Sequence, residues 1–189
     1  MKKIIILFSI FLTSNSYSNE KGWDLLKEKG HVILIRHSLA DQLPDGTPIG
    51  GGDSSGFTLN SCEKQRVLGK AGIDQSIKMG EEVRKRKIKI GEVLSSIWCR
   101  CQATAGYAFG QYKVKSFLNS TFQYPYSKNE PKQLKQLKEY VKNYDFSKGS
   151  LVMVTHYSII VPITGASPGQ GTLVITDKEF NVLQTIHVD

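Results

Sequence analysis

The chain has 189 residues, 25 Lys and Arg against 17 Asp and Glu for a formal net charge of +8, and 40% hydrophobic residues. That length suits one domain with a real core and is too short for two comfortable ones. The basic balance suits an anionic substrate or surface, but no aromatic residues interleave with the basic ones as in a recognisable binding module, so nucleic acid is not an expected partner.

Lys2 and Lys3 precede an apolar segment from Ile4 to Leu12, and Ser16 and Ser18 supply the small residues that a signal peptidase needs. Residues 1–18 are therefore read as a cleavable signal peptide, residues 19–189 as the folded domain, and the location as periplasmic or secreted. The apolar run is shorter than the roughly 20 residues of a membrane span, and no cysteine follows it to accept a lipid. An uncleaved tether is the alternative.

Gly22 to Gly30 carries Trp23, Leu25 and Leu26 at helix-like spacing and predicts a short helix. Val32 to Ile35 is an unbroken apolar run, which fits a strand buried on both faces. It ends on Arg36 and His37, which would cost several kcal/mol if buried unpaired. Asp41 to Ser61 reads as a long Gly-, Pro-, Ser- and Asp-rich loop, with Gly50 to Gly52 as flexible chain rather than a phosphate cradle.

Lys70 to Lys87 predicts a surface helix closing in a basic run, Val93 to Ser96 a short strand, and Arg100 to Phe109 a helix stopped by Gly110. Pro131 to Tyr144 places Leu134, Leu137, Val141 and Tyr144 on one face of an amphipathic helix. Leu151 to Thr155 is a second buried strand, and it ends in His156. A turn from Gly165 to Gly171 leads to a strand at Thr172 to Thr176; Asp177 to Glu179 turns the chain into a last strand near Val182 to Val188. Strands alternating with helices define a single-domain, three-layer α/β/α fold with a largely parallel central sheet.

Export would put Cys62, Cys99 and Cys101 in an oxidising compartment. A bridge from Cys62 to either Cys99 or Cys101 would staple two distant segments and leave one thiol over, and the spacing does not choose between them. Three reduced thiols are the reading if the chain stays inside.

Two apolar runs thus end in histidine, and ligands of open α/β sheets sit beyond the carboxyl ends of strands. His37 and His156 are expected to share one cleft. Arg100 stands near a helix start, where N–H groups and the dipole favour anions. With Arg36 it makes a site for a dianion, most simply a phosphoryl group. Neighbours in a strand point oppositely, so Arg36 and His37 converge only if the chain leaves strand geometry.

Zinc on His37, His156, Cys99 and Cys101 is the rival use. It is disfavoured because C-x-C is not the usual knuckle spacing and Arg100 between the cysteines would repel a cation. His31 and His187 read as structural, and Asn119-Ser-Thr as a chance sequon. Arg84 to Lys89 reads as a solvated helix end, with contact to anionic lipid or lipopolysaccharide as its functional alternative.

LIRHS, SSIWCRCQATA and VTH, in that order, resemble the histidine phosphatase superfamily, also called phosphoglycerate-mutase-like. Ser38 stands where the family's Arg-His-Gly opening has glycine; Ser95, Ser96, Arg100, Cys101, Thr104 and Ala105 match its second signature. The resemblance spans Val32 to Thr176. It implies the phosphoglycerate-mutase-like fold, His37 as a nucleophile that becomes phosphohistidine, Arg36 and Arg100 on the phosphoryl oxygens, and His156 donating to one of them. It implies no metal and no cofactor.

Family members usually protonate the leaving oxygen with a Glu or Asp at one of two places. Here Asn119 stands near the first and Tyr157, directly after His156, at the second. Asp53 in the loop GGGDSSGF is the candidate acid, ahead of Glu63 and Asp41. The chain is also similar to the exported branch that contains a lipopolysaccharide core heptose phosphatase, which implies a cell-envelope phosphosugar substrate. The expected function is an exported, metal-independent phosphomonoesterase. The alternatives are a phosphate- or phosphoester-binding protein of the same fold without turnover, and a phosphoprotein phosphatase. Oligomeric state is left open.

Overall fold

The run Val32-Ile33-Leu34-Ile35 lacks a polar face because its strand, β1 (Val32–Arg36), separates two apolar cores. Ile33 and Ile35 enter one core, Val32 and Leu34 the other, and all four are buried. Two further strands repeat the pattern. In β6 (Ser150–Thr155) Val152 and Val154 face the first core, Leu151 and Met153 the second. In β7 (Thr172–Thr176) Leu173 and Ile175 oppose Val174 in the same way. Each such aliphatic contributes roughly 1.5–3 kcal/mol relative to exposure.

This computed structural model describes residues 19–28 and 30–188. The expected signal peptide lies outside the described residues. Helical turns over residues 19–25 (α1), with α2 (Lys70–Lys85) and α3 (Cys99–Phe109), cover the first face with Met79, Val83, Cys101 and Ala105. On the second face α4 (Glu130–Lys142) and α5 (Tyr157–Thr164) contribute Leu137, Val141, Ile159 and Ile160. The result is a three-layer α/β/α fold.

The remaining strands are β2 (Ala40–Gln42) and β3 (Val67–Leu68), which form a small separate sheet, and β4 (Ile90–Ser95), β5 (Lys113–Val114) and β8 (Val182–His187). The main sheet runs β5-β4-β6-β1-β7-β8. From β5 through β1 its strands are parallel, whereas β7 pairs antiparallel with both neighbours. Arg36 registers with Thr155 and Ser95 with Val154, so β1, β6 and β4 end level at one edge.

Several element boundaries differ from the sequence expectation. Gly22 lies inside α1 rather than at its start, and it packs closely on β8, where any Cβ would meet Ile186 Cγ1 at 2.5 Å. Helix α2 stops at Lys85, since Lys87 takes a left-handed φ of 55°. The basic run after it is not simply solvated. Arg86 donates to Glu82 at 2.9 Å and grips Glu20 at 2.9 and 2.7 Å, and Arg84 donates to the Ala108 carbonyl at 3.0 Å. Strand β4 begins at Ile90, ahead of the expected Val93. Helix α5, with Pro162 inside it, and the short strands β2, β3 and β5 were not expected.

Candidate active site

The register that pairs Arg36 with Thr155 brings the next residues, His37 and His156, together, with ring centroids 5.5 Å apart. The His37 N–H still bonds the Thr155 carbonyl at 3.1 Å, one rung past the end of β1. Strand alternation is therefore kept, contrary to the expected departure from it. Arg36 goes one way, donating to the Pro168 carbonyl at 2.9 Å with its guanidinium 5.3 Å from the Tyr157 ring centroid. His37 goes the other way, toward α3. The pair straddles the strand end, yet Arg36 stays near enough for its charge to act on both histidines.

His37 Nδ1 lies 2.9 Å from the Ser38 carbonyl, which can only accept, so Nδ1 carries the proton. Nε2 is then the unprotonated nitrogen, and it accepts from Nε–H of Arg100 at 3.2 Å. Burial, followed by the charge of Arg100 and then of Arg66 and Arg36, holds His37 well below the usual histidine range. His156 is depressed in the same way, first by burial and then by Arg100. Its Nε2 contacts Ser96 Oγ at 2.9 Å and Cys101 Sγ at 3.4 Å, and its ring stands edge-on to Trp98. Two neutral imidazoles therefore sit side by side at neutral pH. One presents a lone pair, the form a nucleophile needs.

Asp53, the expected acid, is drawn into this cluster and bound to Arg100. Its Oδ1 accepts from Arg100 Nη1 at 2.7 Å and from the Arg66 N–H at 2.9 Å, and its Oδ2 from Trp98 Nε1 at 2.9 Å. The two side chains of the ion pair are 5% and 0% exposed. Three donors thus converge on its two oxygens. Asp53 is an anchor for Arg100. Asp41 and Glu63 are exposed, and among the described residues no bond joins them to the cluster. Asn119, near the place of one usual acid, is structural: its Oδ1 accepts from the Ile97 N–H at 3.1 Å.

Arg66 is the functional candidate that the sequence reading missed. Its guanidinium donates to the Ala40 carbonyl at 3.2 Å, and its charge acts on both histidines. The Nε atoms of Arg36 and Arg66 are buried and, among the described residues, have no hydrogen-bond partner. Three guanidinium groups against one carboxylate leave the cluster positive, with donors to spare for an anion. The helix start adds less than expected: the Cys99 N–H is taken by Gln65 Oε1 at 3.0 Å and the Trp98 N–H by Ser96 Oγ at 3.2 Å. No motif around Arg66 marks it in the sequence.

Local contacts hold this arrangement. Ser38 donates its N–H to Thr104 Oγ1 at 3.0 Å and accepts from Ser76 Oγ at 2.8 Å, so its side chain is accommodated. The disulfide joins Cys62 to Cys99, choosing between the two pairings left open, and Cys101 is a buried free thiol. Burial raises that thiol to about 12. A groove of about 2040 Å³ lies elsewhere and includes none of these groups. Chemistry rather than size locates the site.

No protein-family model and no curated protein matches the sequence. Solved structures match the fold. The protein histidine phosphatase SixA, complexed with tungstate, aligns with a TM-score of 0.52 at 15% identity, over 83% of this chain and 96% of that one. A candidate phosphohistidine phosphatase SixA from Agrobacterium tumefaciens gives 0.53 at 14% identity, over 83% and 97%. A candidate alpha-ribazole-5'-P phosphatase from Escherichia coli gives 0.55 at 15% identity, over 86% and 99%. The chain has the phosphoglycerate-mutase-like α/β fold of these histidine phosphatases.

Proposed function

We propose that this chain is a metal-independent phosphomonoesterase that works through a phosphohistidine on His37. The observation that carries the reading is the unprotonated Nε2 of His37, oriented by its Nδ1–H bond to Ser38 and set 3.2 Å from Arg100 Nε. Nε2 forms the bond to phosphorus as the ester P–O bond breaks and the leaving group departs with the bonding pair. Water then attacks phosphorus: a new P–O bond forms, the P–N bond breaks with its pair returning to Nε2, and inorganic phosphate leaves with the water's oxygen and protons. Arg36, Arg66 and Arg100 neutralise the phosphoryl oxygens, the charge that a magnesium ion supplies in other phosphoryl transfers. His156 donates to one of those oxygens.

Asp53 is bound to Arg100 rather than facing a free leaving oxygen, so a leaving group that needs little protonation suits the site. That favours a second reading of the substrate, a phosphoprotein whose leaving group departs easily. The SixA proteins of the same fold are described as acting on protein histidine or phosphohistidine. A cell-envelope phosphosugar remains the substrate class that accords with the leader-like start and with the resemblance to the heptose phosphatase branch. The binding protein without turnover makes the opposite prediction for every ester.

The test is hydrolysis of p-nitrophenyl phosphate, a phosphosugar panel and a phosphohistidine peptide by residues 19–189, with chelator present, beside His37→Ala. Turnover that survives chelator and is lost in the variant supports the enzyme. Tight phosphate binding with no turnover of any substrate replaces it with the binding protein.

A further inference from the structure

The 2040 Å³ groove follows the first part of β4, at the far end of that strand from Ser95 and the active site. Strand β5 pairs only with Leu94 and Ser95. Among the described residues, Ile90 to Val93 therefore have no strand on their outer side. An uncovered edge presents backbone N–H and C=O groups ready to pair with another extended segment.

The groove's walls say which segment. Lys87, Lys89, Lys113, Lys135 and Lys148 line it, against the acids Glu92, Glu139 and Asp145. Those acids are already engaged: Glu92 takes Lys113 at 2.7 Å and the Tyr140 hydroxyl at 2.6 Å, Glu139 takes Asn143 at 2.7 Å, and Asp145 caps Ser147 at 2.7 Å. Lys87 and Lys135 have no partner among the described residues, so the unmatched charge is positive. Phe109, Tyr112 and Tyr140, each partly buried, offer apolar contact beside it.

A second copy of the chain is a poor occupant. Edge-to-edge pairing would set lysine against lysine, and the register shift between Ile90 and Glu92 further spoils a self-matching ladder. The same charges attract an acidic strand. We propose that the open edge of β4 is a docking site for an extended acidic peptide, which adds to the sheet as a strand, with acidic side chains toward the lysines and alternate apolar ones toward the aromatic wall.

The probe is a fluorescent decapeptide of alternating Glu and Val, titrated into the full chain while amide signals of residues 90–93 are followed. Expected are saturable binding, shifts at those amides, loss of binding when alternate peptide nitrogens are methylated, and about tenfold or greater weakening in Lys89→Glu/Lys135→Glu. Both lysines are exposed, and unchanged circular dichroism confirms that the variant is folded. No saturable binding overturns the proposal. So does equal binding of the methylated peptide, which would mean charge alone, or capture of phosphatidylglycerol vesicles without the peptide, which would make the groove a lipid contact.

Discussion

Asp53 holds Arg100 by Nη1 at 2.7 Å and thereby leaves Nε of the same guanidinium 3.2 Å from His37 Nε2. The carboxylate thus aims the arginine at the nucleophile. In Asp53→Asn the charge pairing is lost and Arg100 is free to swing. We expect kcat/KM to fall by about 10- to 100-fold, the scale that small misplacements of catalytic groups produce. The loss should be equal for aryl and alkyl phosphates. A residue that protonated the leaving oxygen would instead lose most on the poorest leaving groups, so the dependence of rate on leaving-group pKa in both proteins checks the assignment.

The buried histidines predict a pH signature. Both are held well below their unfolded value by burial and by the arginines. Above about 6.5, the unfolded histidine pKa, neither state takes up the proton and these groups add no pH dependence. As pH falls below that value the unfolded chain binds protons that the folded one refuses, so stability drops by up to about 1.4 kcal/mol per pH unit for each histidine, until the folded pKa is reached. Urea unfolding between pH 4.5 and 7.5 should show this slope, and His156→Asn should halve it. For the same reason the acid limb of the pH–rate profile should lie below the ordinary histidine pKa.

What was legible in the sequence followed from local pattern. Val32 to Ile35, Leu151 to Thr155 and Thr172 to Thr176 announce strands because both sheet faces are covered, and polar residues in such strands are confined to their ends. The ends of the first two announce the histidines. What was not legible depends on distant partners. Strands β3 and β5 have two residues each and exist only through their neighbours. Pro162 and the branched run before it hide α5, whose helical form rests on packing of Ile159 and Ile160. Asp53 has the composition of an acid catalyst and becomes an anchor only because Arg100, Trp98 and the Arg66 N–H meet it in space.

Arg66 supplies a sharper test of the anion site, since no motif pointed to it. Its buried, unpartnered Nε and its effect on both histidines imply a bond to the phosphoryl group worth about 1.5–3 kcal/mol, the range for a charged hydrogen bond. In Arg66→Ala the inhibition constant for inorganic phosphate should rise about 10-fold or more. The unfolding midpoint should move little, because Arg66 accounts for one bond to Ala40 besides its main-chain contact to Asp53. An unchanged phosphate affinity would return Arg66 to a structural role.

The disulfide links this site to redox conditions. Cys62 lies in the loop that supplies Gln65 and Arg66, and Cys99 begins the helix that carries Arg100, so the bridge fastens two suppliers of the anion site. Gln65 Oε1 adds a 3.0 Å bond to the Cys99 N–H beside it. The bridge closes a sequence separation of 37, for which loop entropy predicts about 4 kcal/mol and measured bridges typically give about 2–4 kcal/mol. Reduction, or Cys62→Ser, should lower unfolding stability by that amount and weaken phosphate binding with it. Cys101 sets the control: its thiol is fully buried and raised to about 12. Without reductant, the folded chain should give no reaction with a thiol reagent and the unfolded chain one equivalent per molecule, rising to three only after reduction.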